Sequence, residues 1–352
     1  MQRGVHVSET RDGGLVAVGV ADDDQGHGGE DVLLVKVGRD GSTEWHSRLG
    51  GPGSDNGWAV VESADGYVIA GFTDSRGAGD FDCYVVGVDA SGEETWSKTF
   101  GGARSDRCWS IAHSADGGFA LAGETESSGA GEEDCWLVRI DSNGAELWSE
   151  TFGGVAGDRC FSLVHVDGGG FLIAGQTYSD SAGERDAYIV RTDGVGRELW
   201  TKTYGGPARD VAHSVSKLAD GEFLVTGYTF EGPQRESPQL TLLSADGDER
   251  WRRTLPVERA TRTLTGESLP DGRIVLGGFA FDAQSGRRAA VLLETDSAGQ
   301  LLSTREFFPT ASGVSFGYTA RGTSGSGALL TGHTSGGSAE DWDLFVVRVE
   351  PF

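Results

Sequence analysis

The chain predicts an all-β fold, a seven-bladed β-propeller of four-stranded antiparallel blades, and three observations carry the prediction. First, one phrase recurs with a period of 52 residues: Trp96-Ser-Lys-Thr-Phe-Gly-Gly102, Trp148-Ser-Glu-Thr-Phe-Gly-Gly154 and Trp200-Thr-Lys-Thr-Tyr-Gly-Gly206. A period of that size marks a propeller, solenoid or array. Second, each repeat holds four short β-rich runs separated by turn residues. Third, no segment has the 3.6-residue apolar periodicity of an amphipathic helix.

The register divides the chain into a single propeller domain, 1–352, with blades at 1–51, 52–102, 103–154, 155–206, 207–256, 257–308 and 309–352. In the third unit, Cys108–His113 reads as strand a, the turn Ser114–Gly118 closes a hairpin, and Phe119–Gly123 reads as strand b. A polar loop, Thr125–Glu133, leads to strand c at Cys135–Ile140, the turn Asp141–Gly144, and strand d at Glu146–Phe152. Four such strands repeated radially leave only short, protected edges. The last unit stops after Leu344–Val349, having made strand c, so the seventh blade is expected to be three-stranded with its outer edge exposed.

The pattern Gly-Gly-x-x-x-Asp, Asp-Gly-Gly, a Gly-x-Thr loop, and Asp-x-aromatic-Leu/Val-Val-Arg-x-Asp-x-x-Gly resembles the β-propeller repeats of archaeal and bacterial surface and secreted proteins. It is clearest in residues 52–206. The stretch Val88–Trp96 also resembles the tryptophan-docking motif of pyrroloquinoline-quinone propellers. There the motif holds neighbouring blades together, which implies inter-blade packing for Trp45, Trp96, Trp148, Trp200 and Trp251.

The formal charge is −25, with Lys+Arg 29 against Asp+Glu 54, a balance that resembles haloarchaeal proteins. Such a surface keeps a protein hydrated where salt screens its self-repulsion. No basic stripe exists for phosphate binding, which excludes nucleic acid as the expected partner. No run of eighteen apolar residues is present, so membrane insertion is not expected. The start, Met1–Glu9, enters the first repeat without a signal-peptide core, so the expectation is either a cytoplasmic protein or a chain without its export segment.

The four cysteines occupy two repeat positions. Cys83 and Cys135 open strand c, and Cys108 and Cys160 open strand a of the following unit, each pair 25 residues apart. Both positions start from the same face of the disc, so they meet across an inter-blade contact. Equivalent pairs read as Val32 with Gly57, Ala187 with Ala212, Leu240 with Thr263, Ala290 with Gly317 and Leu344 with Gly4, the last supporting ring closure. The size complementarity is what a close-packed interior requires. Disulfides Cys83–Cys108 and Cys135–Cys160, packed free thiols and a metal site all fit this pairing, although no Cys-x-x-Cys spacing favours zinc. Bridges argue for an extracellular or cell-surface location.

Two sets of candidate residues carry chemistry. Asp55, Asp106, Asp158 and Asp210 share the position before strand a, and Asp31, Asp82, Asp134, Asp186 and Asp343 precede strand c on the same face. Converging carboxylates suit a cation or cationic ligand, with Ca²⁺ the natural ion. An Asp recurring in every blade is more often a cap on its own Gly-rich loop, so no cofactor is expected. His113 and His165 end strand a in adjacent blades, with Glu62 and Lys217 at the matching positions. This arc is the nearest thing to an acid–base constellation. Tyr178, Arg159, Arg107 and His213 lie near the Asp-rich rim without a spacing that selects them. The Asp-Gly and Asp-x-x-Gly turns, such as Asp116 and Asp141, are hairpin residues, and Asp22–Asp24 is solvated surface.

The functional expectation is a non-enzymatic scaffold that presents loops to a protein, glycan or small ligand. The variable b-to-c loops are 22–30, 74–81, 124–133, 176–185 and 230–238. The alternatives are a channel-mouth enzyme, either a quinoprotein-like oxidoreductase or a propeller lyase or hydrolase, and a structural module of a larger surface protein.

Overall fold

A computed structural model describes residues 2–22, 28–232, 235–282, 286–308, 314–323, 327–335 and 342–350. Asp23, Asp24 and parts of the first and fifth b-to-c loops lie outside them. The fold is the expected seven-bladed propeller: six antiparallel four-stranded sheets in the order a-b-c-d and a last sheet of three strands. No helix occurs among the described residues. In the third blade the strands are Asp106–His113, Phe119–Thr125, Asp134–Ile140 and Glu146–Phe152, close to the runs read from the sequence.

The chain divides into two compact units, Met1–Ile173 with Val190–Trp200, and Ala174–Ile189 with Thr201–Phe352. The fourth sheet supplies residues to both. Within each unit, strand a of one sheet packs against strands b and c of the sheet before it. Strands b are apolar on both faces because both faces are covered. Phe119–Thr125 is buried along its whole length, whereas strand d, Glu146–Phe152, is largely exposed until Phe152. The clusters bridge sheets: Val68, Val85 and Phe100 of the second pack with Ile111, Leu121 and Val138 of the third. In the second unit, Leu224 and Leu240 meet Leu276 and Leu293.

The docking tryptophans behave as the motif implies. Ring atoms of Trp96 stand 2.5 Å from where a Cβ would be on Gly144, and Trp148 does the same at Gly196. Both glycines have φ near +80°, at +79° and +85°, so the turn needs the left-handed region and the neighbouring blade needs the space.

Both cysteine pairs are disulfides, Cys83–Cys108 and Cys135–Cys160, each with Cα atoms 5.0 Å apart. Two other pairs touch as expected. A Cβ on Gly57 would lie 2.8 Å from Val32 Cγ1, and one on Gly317 would lie 3.3 Å from Ala290 Cβ. One pairing is corrected. Tyr228 opposes Pro238, as Glu124 opposes Cys135, so the partner position of Thr263 is Pro238 rather than Leu240. A slip of two residues preserves the in–out alternation of a strand, and apolar patterning cannot detect it.

A feature invisible in the pattern positions the site. Strand a carries a β-bulge at the same place in the first, second, third, fifth, sixth and seventh sheets. The extra residues are Val5, Trp58, Trp109, His213, Leu264 and Tyr318. Strand b answers with a glycine, because the bulge pushes a backbone carbonyl into its Cβ space. A Cβ on Gly71 would lie 1.7 Å from the Asn56 oxygen, and one on Gly123 would lie 1.8 Å from that of Arg107. Bulges re-aim side chains. Here they turn one residue out of the ladder in each of these six sheets.

Candidate functional site

At the end where strands a and c start and strand b stops, some positions repeat and others vary. The repeated ones are the aspartates, each held by its own loop. Asp55 accepts from Gly51 N at 2.8 Å and Ser75 Oγ at 2.6 Å, with Thr73 Oγ1 on its other oxygen. Asp106 accepts from Gly102 N at 2.8 Å, Ser127 Oγ at 2.7 Å and Thr125 Oγ1. Gly154 N donates to Asp158 at 2.7 Å, and Gly206 N to Asp210 at 3.3 Å. All four are buried. Asp82 and Asp134 likewise accept from Ala78 and Gly79, and from Ala130 and Gly131. These carboxylates close their loops, which is why they recur. No group of three or more His, Cys, Asp or Glu in metal-binding geometry occurs among the described residues.

The varying positions are the bulge residue, the residue after the rim aspartate and the residue after the strand b glycine. In the first unit they assemble around Glu124. Trp58 and Trp109 pack edge to face with centroids 4.6 Å apart, and Phe72 lies 5.3 Å from both Trp109 and Phe81. The Arg107 guanidinium covers the Phe81 ring at 5.0 Å. Glu124, 2% exposed, accepts from Trp109 Nε1 at 3.2 Å and pairs with Arg107 at 3.3 Å and Arg159 at 3.5 Å. Arg159 reaches on to Glu133 at 2.7 Å. Burial, ahead of the opposing Arg159 charge, pushes the Glu124 carboxyl above the usual carboxylate range.

In the second unit the centre is Arg262. It forms a two-pronged pair with Glu236, with its guanidinium 4.7 Å from the Tyr228 ring and 5.7 Å from that of Phe279. Arg288 lies 4.7 Å over Phe316, which packs 5.1 Å from Phe279 and 4.9 Å from His333. Tyr318 follows at 5.3 Å from His333. His213 Nδ1 is 3.1 Å from the Leu264 carbonyl, which can only accept, so the proton sits on Nδ1. Desolvation, then the Arg262 charge, lowers the His213 pKa.

Glu62 accepts from Arg11 N at 2.9 Å, and the charges of both act on His113, whose pKa is lowered first by partial desolvation and then by Arg11. His165 rests 5.8 Å from Phe171 of its own hairpin, and half-buried Lys217 ends strand a of the fifth blade in the other unit. Of the four unselected candidates, Arg107 and Arg159 hold Glu124, His213 adjoins Arg262, and the Tyr178 hydroxyl receives Arg185 at 3.4 Å. Trp58, Trp109, Glu124, Tyr228, Glu236, Arg262 and Arg288 escaped the sequence reading. The signal was available: Val20, Phe72, Glu124, Gln176, Tyr228, Phe279 and His333 follow the repeated glycine and vary in size, charge and polarity, with Phe alone occurring twice.

No family model and no curated protein matches this sequence. Among solved structures the chain is similar to puromycin hydrolase, at 16% identity and TM-score 0.59, over 98% of this chain and 52% of that one. It therefore spans about half the length of that chain. It is also similar to the Pan2 WD40 domain of Neurospora crassa, at 11% identity and TM-score 0.56, over 99% and 89% of the two chains. A third likeness is to the β-propeller domain of the trilobed protease from Pyrococcus furiosus, at 10% identity and TM-score 0.52, over 99% and 96%. At these identities the likeness carries the propeller fold and nothing finer.

Proposed function

We propose that this propeller is a non-enzymatic binding scaffold, working outside the cell or at its surface, that takes a protein, glycan or small ligand. The observation that supports it is the gathering of non-repeated aromatic and charged side chains at one end of the inner strands, against a background of repeated structural residues. Half-exposed Trp58 and Trp109 beside Arg107 offer large, rigid contact area with a polar edge, the composition of recognition surfaces. Two disulfides favour an extracellular environment, and no helix among the described residues is long and apolar enough to cross a membrane.

A second reading, a lyase or hydrolase, has one observation in its favour: His213, Tyr228, Glu236 and Arg262 form a non-repeated acid–base grouping in the second unit. One experiment tests both. Intact protein is screened on glycan and peptide arrays beside Trp58→Ala/Trp109→Ala, Arg262→Gln and a surface control, Leu147→Ala. The scaffold reading expects a captured ligand that is lost in a site variant, kept in the control and recovered chemically unchanged. Conversion of the captured ligand, abolished by Arg262→Gln, would replace it with the enzyme reading.

A further inference from the structure

We infer that the second unit binds a sugar acid, with the ligand carboxylate held by Arg288. The inference rests on the scaffold reading and names its ligand class. In a chain with Asp+Glu 54 against Lys+Arg 29, guanidinium groups should find carboxylates easily. Most in this unit do: Arg250 meets Glu222 at 3.2 Å, Arg273 meets Asp271 at 2.7 Å and Glu294 at 3.2 Å, and Arg262 meets Glu236.

Arg288 is different. Among the described residues it has no carboxylate partner, and its guanidinium instead lies over ring faces, 4.7 Å from Phe316 and 5.8 Å from Phe279. Arg185 resembles it. Among the described residues its guanidinium has no carboxylate partner: it meets the Tyr178 hydroxyl at 3.4 Å and lies 5.8 Å from the Phe230 ring, and its Nε is buried without a partner. Both residues stand immediately before the core of strand c, where the third and fifth sheets carry Glu133 and Glu236. Two positive charges thus replace the carboxylates of the neighbouring blades, in a protein whose formal charge is −25.

The guanidinium fork matches a carboxylate with two parallel hydrogen bonds, and a partly desolvated site strengthens that pair. Continuous ring contacts run from Arg185 through Phe230 and Tyr228 to Arg262, and on through Phe279 to Arg288 and Phe316. Along that line Glu236 accepts hydrogen bonds, and the Tyr228 and Tyr318 hydroxyls both donate and accept. A carboxylate set among hydroxyls is the ligand complementary to a guanidinium set among such groups.

The test is ligand-observed NMR on the intact protein with D-glucuronate, D-glucose and inorganic phosphate, each supplied alone. Glucuronate is expected to bind, and glucose and phosphate to bind at least about tenfold more weakly. Arg288→Gln is expected to weaken glucuronate by about tenfold or more. If that variant does not fold, Arg288→Lys keeps the charge and stem while losing the fork, and an intermediate loss is expected. Equal binding of glucose, equal binding of phosphate, or undiminished glucuronate binding in a folded Arg288 variant would overturn the inference. Absence of glucuronate binding alongside an array ligand lost in Trp58→Ala/Trp109→Ala would overturn it while leaving the scaffold reading in place.

Discussion

Cys135 on strand c of the third blade is bonded to Cys160 on strand a of the fourth, with Cα atoms 5.0 Å apart, and Cys83–Cys108 repeats the relationship one blade earlier. Each bridge joins two sheets that also meet through a backbone hydrogen bond beside it, from Asp106 N to the Phe81 carbonyl and from Asp158 N to the Glu133 carbonyl, both at 2.7 Å. It closes a loop of 25 residues, short enough that its removal costs about 2–5 kcal/mol. Cys135→Ser/Cys160→Ser should therefore unfold at clearly lower denaturant than the parent under oxidising conditions, and the two proteins should converge when both are fully reduced. An unchanged midpoint would show that packing alone holds these blades.

Ala187 and Ala212 occupy the same two positions one blade further on. They line a small cavity with Tyr204, Val225 and Leu243, where two small residues meet without a bridge. Ala187→Cys/Ala212→Cys is expected to form a third disulfide and stabilise the fold by about 2 kcal/mol, after allowance for native-state strain. Peptide mapping without reductant reads the link directly. Two free thiols in the folded protein would show that the fourth and fifth blades depart from the geometry of the earlier ones.

The glycine of strand b is required by sterics rather than by flexibility. With a backbone oxygen 1.7 Å from the Cβ position of Gly71 and 1.8 Å from that of Gly123, an alanine must displace the bulge itself. Gly71→Ala or Gly123→Ala should cost about 3 kcal/mol or more. Gly117→Ala is the control: it has φ of +90° but no atom within 4 Å, so only backbone strain of about 1 kcal/mol is expected. Equal losses in thermal unfolding would mean that the bulge yields.

The contrast between these positions explains what the sequence reveals. Asp106, Trp148 and Gly144 are legible because their surroundings recur in each blade, so the same chemistry is selected again at a fixed spacing. Glu124, Trp109 and Arg262 are not, because each is defined by a partner from another blade, and Trp109 is also aimed by a bulge that shifts register by one residue. Their mark in the sequence is the opposite of a motif: a position that varies from blade to blade beside a glycine that does not. Leu240 shows the remaining blind spot, since a strand slipped by two residues presents the same face to the core.

His213 ties the site to pH. Desolvation first, and the Arg262 charge second, lowers its pKa from the ordinary histidine value of 6.5 to about 4. The native protein therefore refuses a proton that the unfolded chain accepts between those values. Because the unfolded state binds more protons in that window, stability is complete above about pH 6.5 and falls as pH drops towards 4. At pH 4.5 the loss from this one group is about 2 kcal/mol relative to pH 7. Carboxylates titrate over the same range, so the measurement is a difference: denaturant midpoints of the parent and His213→Gln at pH 7 and pH 4.5. Carboxylate effects cancel between the two proteins, and the parent should lose about 2 kcal/mol more than the variant on acidification. If both lose the same amount, His213 is protonated in the folded state at pH 4.5, and the hydrogen bond from Nδ1 to Leu264 with the nearby Arg262 does not hold the ring neutral.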